Sequence, residues 1–421
     1  KMKSLEQSPT GSRIASVHNG SSLFTGDAGG GESNIRRYII ENDLLEAIIQ
    51  LPNNLFYNTG ITTYIWLLSN AKAAHRQGKV QLIDAGQLYR KLRKNLGNKN
   101  CEFSPEQINE ILDTYHQLSE VRRAIDPDTR DEVPGIAAQV FDNEDFGYYK
   151  VTIERPKRLK AQFTAKRIAA LRYDKAVREP MEWAFATYGE RVYTELDALE
   201  EDILAWCEQH ELNLNAKQRK TLTNPKTWAK LLANLQVAEH LWQLLGEKEY
   251  NDFNAFKAEV KTTLNQHERP NNNYDLKAIY NAVSWYDAEA AKVIKKTATL
   301  KSEQLNALTE RWNCTREQLP DFGYYPTGKP NEYTTYETES DLRDYENVPL
   351  KDEIYAYFGR EVQPHVAEAW LNLDATKIGY EISFNKYFYR HKPLRAPEAV
   401  AADILALEKE NEGLIMDILN S

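Results

Sequence analysis

An aromatic pair inside a compact turn is the part of this sequence best suited to chemistry. Phe56 and Tyr57 lie in the segment LPNNLFYNTGI, residues 51–61, between two runs of strand-forming residues. Pro52 and Gly60 interrupt regular strand within that segment. Flat apolar rings can hold a planar group such as a base lifted out of a DNA stack, and such stacking contributes about 1 to 3 kcal/mol per base. The alternative is that both rings close the end of the sheet.

A glycine-rich loop, GDAGGG at residues 26–31, precedes a helix-like segment. Successive glycines let backbone N–H groups point at an anion where a helix begins. The loop matches neither GxGxxG nor GxxxxGK[ST], the patterns that carry an established phosphate-binding geometry. A surface turn is therefore the interpretation that the sequence favours.

Two runs rich in lysine and arginine could contact phosphate groups. One is YRKLRKNLGNK, residues 89–99, and the other, residues 155–178, has nine basic side chains against the single acid Asp174. A solvated helix face is the alternative for the second run. Its candidates for contact with a DNA backbone are Arg155, Lys157, Arg158, Lys160, Lys166 and Arg167. The net charge of −9 argues against a chain that wraps nucleic acid over most of its surface.

The aromatic turn must be positioned by the elements around it. Periodicity and composition predict strands at residues 13–18, 45–51, 61–69 and 80–85, and a helix at residues 34–45. A later helix begins after Ser104, a predicted N-cap, with Pro105 at the first helical position and Gln107 at the capping-box position. The order strand, loop, helix, strand, turn, strand predicts the closing half of an α/β nucleotide-cofactor fold.

Helical patterns dominate from about residue 164 to residue 318, and their Trp and Leu stripes are most simply core residues. The tetrapeptide FGYY occurs at residues 146–149 and again at residues 322–325, at the two ends of this block. We therefore predict that the helices are inserted between two pieces of one β-containing region.

The last segment of the chain has apolar residues at alternating four- and three-residue steps, which is a heptad pattern. The positions are Val400, Ile404, Leu407, Asn411, Leu414 and Ile418. Such a seam packs either on a coiled coil of a partner or on the protein's own body.

Composition limits the class of protein. A chain of 421 residues with 42% hydrophobic residues can supply cores for two or three domains. No run approaches the roughly 18 to 20 apolar residues of a membrane span, and no signal peptide is recognisable, so we expect a cytoplasmic location and no membrane contact. The three cysteines and eight histidines are scattered without metal-site spacing, so no metal site is predicted.

Residues 11–70, from GSRIASVHNG to TTYIWLLSN, resemble the carboxyl half of the catalytic domain of the modification (HsdM) subunit of type I restriction-modification systems, an adenine-N6 DNA methyltransferase. The strand and loop, the IRR helix, the LP-x-x-LFY-x-TGI turn and the final strand follow in that family's order. VQLIDAGQLYRK, LRDYENVPLKDEI and GYEISFNKYFYRHKPLR resemble its C-terminal region. The resemblance covers about residues 1–163 and 320–421.

The resemblance implies an α/β and α fold: the C-terminal half of a Rossmann-like methyltransferase sheet, followed by a mainly helical region. The implied segments are a half-domain at 1–80, a strand and helix extension at 81–163, the inserted helical block at 164–319, and a C-terminal region at 320–421 that ends in the heptad helix.

The resemblance also implies a reaction and partners. A methyl group passes from S-adenosylmethionine to the amine of a flipped adenine in double-stranded DNA, within a complex that contains a specificity subunit and, for cleavage, a restriction subunit. Phe56, with Tyr57 beside it, matches the position at which related methyltransferases stack the adenine. Docking of the specificity subunit is expected at Tyr380, Phe384, Tyr387 and the apolar heptad positions.

Two motifs of the family are absent from these 421 residues. The only Asn-Pro is at residues 224–225 and is followed by Lys226, so N-P-P-[FY] is missing, and so is the glycine-rich loop that holds the cofactor. We therefore expect that this chain alone has no catalytic residues and does not methylate DNA. The alternative functions are a non-catalytic assembly module and, less favoured, a methyltransferase acting on RNA or a small molecule.

Overall fold

The computed structural model describes residues 2, 8, 10–126, 132–389 and 397–419. Its strands are β1 (Arg13–Asn19), β2 (Leu45–Gln50), β3 (Thr63–Ser69), β4 (Lys79–Asp84), β5 (Arg90–Leu96), β6 (Lys99–Glu102), β7 (Ala137–Asp142), β8 (Gly147–Glu154), β9 (Leu159–Ala161), β10 (Ser284–Tyr286), β11 (Ile294–Thr299), β12 (Tyr325–Pro326), β13 (Glu332–Tyr336), β14 (Asp344–Pro349) and β15 (Trp370–Tyr380).

The helices alternate with these strands in the first third of the chain and predominate in the middle. They are α1 (Ser21–Phe24), α2 (Gly31–Glu41), α3 (Pro105–His116), α4 (Ala165–Ala169), α5 (Arg178–Tyr188), α6 (Arg191–Thr194), α7 (Leu196–Gln209), α8 (Ala216–Leu222), α9 (Pro225–Leu245), α10 (Phe253–Gln266), α11 (Leu276–Val283), α12 (Ser302–Trp312), α13 (Ile354–Tyr357), α14 (Phe384–Phe388) and α15 (Pro397–Leu419). The prediction of an α/β protein with many helices is confirmed.

The chain forms two compact units. Unit 1 comprises residues 1–150, 347–354 and 377–421, and unit 2 comprises residues 151–346 and 355–376. The four segments predicted from the sequence have other boundaries and stay a prediction.

Unit 1 contains a five-stranded sheet in the order β1-β3-β2-β4-β7. Strands β2 and β4 are parallel, whereas β3 runs antiparallel to both of its neighbours and β7 runs antiparallel to β4. The strands predicted at residues 13–18, 45–51, 61–69 and 80–85 are confirmed, each with ends shifted by no more than two residues.

Strand β2 is buried on both faces of this sheet, and its first five residues, Glu46 included, are buried. Ile48 packs in one hydrophobic cluster with Ile40 of α2, and the adjacent Ile49 packs in a second cluster with Ile111 of α3. Successive side chains of a strand point to opposite faces, so α2 and α3 cover opposite sides of the sheet.

Helix α3 begins as the sequence predicts. The Ser104 side chain accepts a hydrogen bond from the backbone N–H of Gln107, the Gln107 side chain accepts one from the N–H of Ser104, and Pro105 occupies the first turn. Helix α2 differs from its prediction of residues 34–45, because it begins at Gly31 and ends at Glu41. The chain reverses two residues later at Asp43, whose φ of 53° is left-handed.

Unit 2 has two helical cores. One is built on α9, α10 and α11 and includes Phe256 and Val260, and the other is built on α5, α7 and α9 and includes Met181 and Trp228. The segment predicted to be mainly helical also contains β10 and β11, which pair with β9 and β13 respectively. None of the helices within the described ranges combines the length and apolarity of a membrane span.

Candidate functional site

The aromatic turn follows β2 at the end of the sheet and is held by its own polar side chains. Asn54 adopts a left-handed conformation with φ of 57°, and Phe56 and Thr59 form an isolated antiparallel bridge. Thr62 donates a hydrogen bond from Oγ1 to Oδ1 of Asn53 at 2.5 Å. These contacts define the backbone conformation of the turn between β2 and β3.

The two rings of this turn have different surroundings. Phe56 is half-buried and packs against the hydrophobic cluster that contains Ile49 and Leu51. Tyr57 is 64% exposed. Phe56 thus anchors the turn to the sheet, and Tyr57 is the ring that the protein presents to its surroundings. Their role in base stacking stays a prediction.

A β-hairpin, residues 90–102, supports the turn from one side. The backbone N–H of Asn98 donates to the carbonyl of Tyr57 at 2.9 Å, and that of Asn100 donates to the carbonyl of Asn54 at 3.0 Å. Lys99 Nζ donates to the carbonyl of Leu55 at 3.0 Å. The hairpin consists of β5 and β6, which coincide with the first basic run.

Cys101 makes a further contact between hairpin and turn. Its Sγ lies 3.2 Å from the carbonyl oxygen of Asn53, and burial raises the pKa of this thiol, which keeps the sulfur protonated as a donor. The sequence did not predict this hairpin, because only Leu92 and Leu96 interrupt the polar residues of β5. The single local signal was Gly97, which has a left-handed φ of 61° at the reversal.

The glycine-rich loop does not have the electrostatics of a phosphate site. Lys150 donates a hydrogen bond of 2.6 Å to Asp27 and lowers its pKa, so this carboxylate is ionised. The Glu32 side chain occupies the space beside Gly26, where a Cβ would meet its Oε2 at 2.8 Å. Two carboxyl groups at the loop stand beside two lysines, Lys150 and Lys377, so the loop has no excess of positive charge to attract an anion. The interpretation as a surface turn is the one we retain.

Unit 1 contains a groove whose volume and lining can be compared with those of a cofactor site. The groove between β1, β3 and α2, lined by His18, Ile35, Ile39 and Trp66 among others, has a volume of about 210 Å³ and a mostly apolar lining. Sites for small molecules and cofactors usually enclose about 300 to 1,000 Å³ and carry several placed polar groups. The residues of this groove do not fit S-adenosylmethionine by themselves.

The basic residues proposed for DNA contact in the second run are largely occupied inside unit 2. Lys157 pairs with Glu339, Arg158 with Glu368, and Lys160 with both Glu249 and Asp287. Arg167 stacks over the ring of Trp285, Arg155 is half-buried, and Lys166 is exposed. Carboxylates already pair with Lys157, Arg158 and Lys160, which argues against these three as contacts for the DNA backbone, and their role stays a prediction. The role of Lys166 also stays a prediction.

The residues proposed to dock a partner divide into two groups. Tyr380 and Phe384 are buried in the core of unit 1, and Tyr387 packs against Phe141 and Phe146, with ring centroids 4.4 and 5.9 Å apart. The buried rings of Tyr380 and Phe384 hold the C-terminal segment to its own unit, which argues against docking through them, and that role stays a prediction.

The heptad positions lie on α15. Val400, Ile404 and Leu407 are exposed, as is Asn411. The side chains of Leu414 and Ile418 lie outside the described residues. An exposed apolar row on one helix agrees with the predicted seam, and its partner stays a prediction.

One comparison with known proteins matches the region that contains the turn and the hairpin. A family model described as N-6 DNA Methylase matches residues 2–140. The Type I restriction enzyme MjaIX methylase subunit of Methanocaldococcus jannaschii is 36% identical over 91 residues, 22% of this chain and 16% of that protein. The Type I restriction enzyme HindI methylase subunit of Haemophilus influenzae is 41% identical over 86 residues, 20% of this chain and 18% of that protein.

The matched segment thus spans less than a fifth of each of these curated relatives. Among solved structures, the type I restriction-modification system methyltransferase subunit from Streptococcus thermophilus overlaps 32% of this chain and 24% of its own, with 25% identity and a TM-score of 0.25. Residues 2–140 therefore match the N-6 DNA methylase family, and about a fifth of the chain is similar to the methylase subunits of type I restriction enzymes.

Proposed function

We propose that this chain works as part of an adenine-N6 DNA methyltransferase of a type I restriction-modification system. The observation that carries this proposal is the match of residues 2–140 to N-6 DNA methylases, because these residues include the aromatic turn. The methyl donor in that reaction is S-adenosylmethionine, and the partners are double-stranded DNA, a specificity subunit and, for cleavage, a restriction subunit.

The proposal divides the catalytic domain between this chain and residues outside it. The sheet of unit 1 would be the C-terminal half of a Rossmann-like sheet, and the cofactor loop and the N-P-P-[FY] motif would lie in the other half. One structural feature supports this division. Among the described strands β1 pairs with β3 alone, and the nearby apolar side chains of Val17, Ile35 and Tyr38 are exposed. An edge of this kind favours pairing with another strand.

The turn would supply the wall against which the extruded adenine rests. Tyr57 presents its ring outward, and Phe56 holds the turn against the core. Stacking on such rings needs no recognition of sequence, since every base has an aromatic face. Sequence recognition would belong to the specificity subunit.

Tritium transfer from labelled S-adenosylmethionine to an adenine-containing duplex tests the proposal. The 421-residue protein alone should transfer no methyl group, and transfer should appear when it is combined with a polypeptide that carries the cofactor loop and N-P-P-[FY]. Tyr57→Leu and Phe56→Leu should slow transfer by the combined proteins about 5- to 100-fold, the equivalent of one lost stacking contact.

Tyr286→Leu removes an exposed ring from unit 2 and is the matched control, for which we expect unchanged transfer. Transfer by the 421-residue protein alone would refute the division of the domain. Absence of transfer by the combined proteins would refute the enzymatic function and favour the assembly module. Unchanged rates in both ring variants would remove the stacking role.

Docking of the specificity subunit is proposed at the exposed row of α15. Deleting residues 396–421 should abolish co-elution of this chain with the specificity subunit in size-exclusion chromatography. Ile404→Glu combined with Leu407→Glu should act like the deletion, whereas Leu405→Glu, an exposed leucine outside the heptad seam, should leave assembly intact. Assembly that survives the deletion would disprove this proposal.

A further inference from the structure

The hairpin of residues 90–102 carries basic side chains that have no partner within the described structure. It carries five basic side chains and one acid, in a chain whose net charge is −9. Arg90 pairs with Glu102 at 2.7 Å, and Lys99 donates to the carbonyl of Leu55. The side chains of the other three, Lys91, Arg93 and Lys94, are exposed and form no ion pair or hydrogen bond with any part of the chain that the structure describes.

The hairpin that carries these three cations is held against the aromatic turn. The turn accepts hydrogen bonds from Asn98, Lys99, Asn100 and Cys101 of the hairpin. At the reversal the two segments approach so closely that a Cβ on Gly97 would lie 2.6 Å from the carbonyl oxygen of Tyr57. Movement of the hairpin away from the turn would break several hydrogen bonds at once, so the backbone that carries the cations stays beside the turn.

That spacing suits a nucleic-acid strand. Lys94 is four residues from Asn98, so at about 3.3 Å per strand residue their backbones are at most roughly 13 Å apart. The rise of one DNA strand is about 3.4 Å per nucleotide, so this maximum distance corresponds to about four nucleotides. Leu96 and Ile61 are also exposed apolar residues of the hairpin and the turn. Cations interleaved with exposed apolar and aromatic groups are typical of surfaces that track a phosphate backbone and stack bases.

We propose that the hairpin of residues 90–102 is a phosphate clamp: Lys91, Arg93 and Lys94 bind the DNA backbone next to the adenine that rests on the aromatic turn. The inference rests on the proposed function for the identity of the stacked group. Phosphate contacts carry no base information and fix the position of the protein on the duplex. The clamp would thus bind the phosphates of the strand that flank the extruded adenine, while the adenine itself stacks on the turn.

Fluorescence anisotropy of labelled DNA with the 421-residue protein tests the clamp. The duplex contains one adenine opposite an abasic site, because an unpaired base is extruded at the least cost. The variant combines Lys91→Gln, Arg93→Gln and Lys94→Gln. It should bind about 10- to 100-fold more weakly at 0.1 M salt, and the slope of log K against log salt should decrease by about 2 to 3.

The matched control combines Lys217→Gln, Lys220→Gln and Lys226→Gln, three exposed lysines of unit 2 whose side chains are also unpaired among the described residues. Its charge change is the same, and we expect its binding and salt slope to stay within twofold of those of the wild type. Thermal melting followed by circular dichroism should give the same midpoint for both variants, because neither set of side chains contributes an internal contact.

The position of the clamp is tested with neutral methylphosphonates at the phosphates that flank the adenine. They should weaken binding of the wild-type protein and have no further effect on the hairpin variant. Equal effects on both proteins, an unchanged salt slope in the hairpin variant, or no DNA binding by the wild type would each overturn the clamp. If binding behaves as expected but the combined proteins transfer no methyl group, the proposed enzymatic function is rejected and the clamp is retained.

Discussion

The hairpin at residues 90–102 carries five basic side chains and the segment at residues 155–167 carries six, yet their charges have opposite surroundings. In the hairpin Lys91, Arg93 and Lys94 extend into solvent without a carboxylate partner in the described structure. In the second segment Arg158 contacts Glu368 at 2.5 Å. The density of basic residues in a sequence therefore does not measure the charge available to a ligand.

The physical difference lies in what packs around each segment. Among the strands that the structure describes, β5 and β6 pair only with each other, so most of the hairpin's side chains face water. The second segment includes β9 and α4, whose apolar residues Phe163 and Ile168 are buried in a core of unit 2. Burial brings its cations next to acids of distant segments, because a charge removed from water needs a partner.

Replacing Arg158 should have the largest effect on stability. This guanidinium donates from Nη2 to Glu368 and from Nη1 to the carbonyl of Ala290, both at 2.5 Å. Arg158→Gln should lower the free energy of unfolding by about 2 to 3 kcal/mol, since it removes charged hydrogen bonds from a partly buried site. Urea unfolding of the 421-residue protein measures the change, and DNA affinity should stay unchanged.

Lys166→Gln is the control, because this exposed lysine of the same segment should change stability by no more than about 0.5 kcal/mol.

The pH dependence of stability supplies a second control. Burial alone would raise the pKa of Glu368, but Arg158 and Lys292 together outweigh burial and hold the pKa below its ordinary value of 4.5. The stabilisation is therefore complete above pH 4.5 and is lost as the pH falls through the lowered pKa. The difference in free energy of unfolding between the wild type and Arg158→Gln should therefore be smaller at pH 3. A difference that stays the same at pH 3 would contradict this account.

A smaller effect is expected where the hairpin meets the turn. Gly97→Ala adds a Cβ that meets the Tyr57 carbonyl at 2.6 Å, at a left-handed φ of 61°. Gly78→Ala is matched in backbone strain, with φ of 72°, but its Cβ has no neighbour within 4 Å. The control should cost about 1 kcal/mol from strain and Gly97→Ala about 1 kcal/mol more.

Limited trypsin digestion separates the two glycine variants further. Gly97→Ala should speed cleavage after Lys91, Arg93 and Lys94, because it loosens the hydrogen bonds between hairpin and turn, and it should weaken DNA binding several-fold. Gly78→Ala should do neither. Equal cleavage rates in the two variants would show that the hairpin is not held by its contact with Tyr57.

Local sequence features predicted the elements of unit 1. The strand-forming residues of β1, β2 and β3 and the Ser104 cap of α3 each specify their structure through neighbours a few residues away. The hairpin had no such signal, because β5 is polar at five of its seven positions. Its other strand, β6, is held by carbonyls 44 to 48 residues earlier in the chain, which accept from Lys99 and Cys101. Tyr380 and Phe384 looked like surface aromatics for a related reason, since their core partners are distant in sequence.

The sequence by itself determined that this chain contains an α/β region with an aromatic turn between two strands, and it carried the resemblance to type I DNA methylases. Strand periodicity, capping residues and family motifs are local properties that survive without a structure. The tertiary structure alone decided which ring of the turn is presented and which basic run keeps its charge. Both depend on burial and on ion pairs between residues as many as 210 positions apart, which no local pattern encodes.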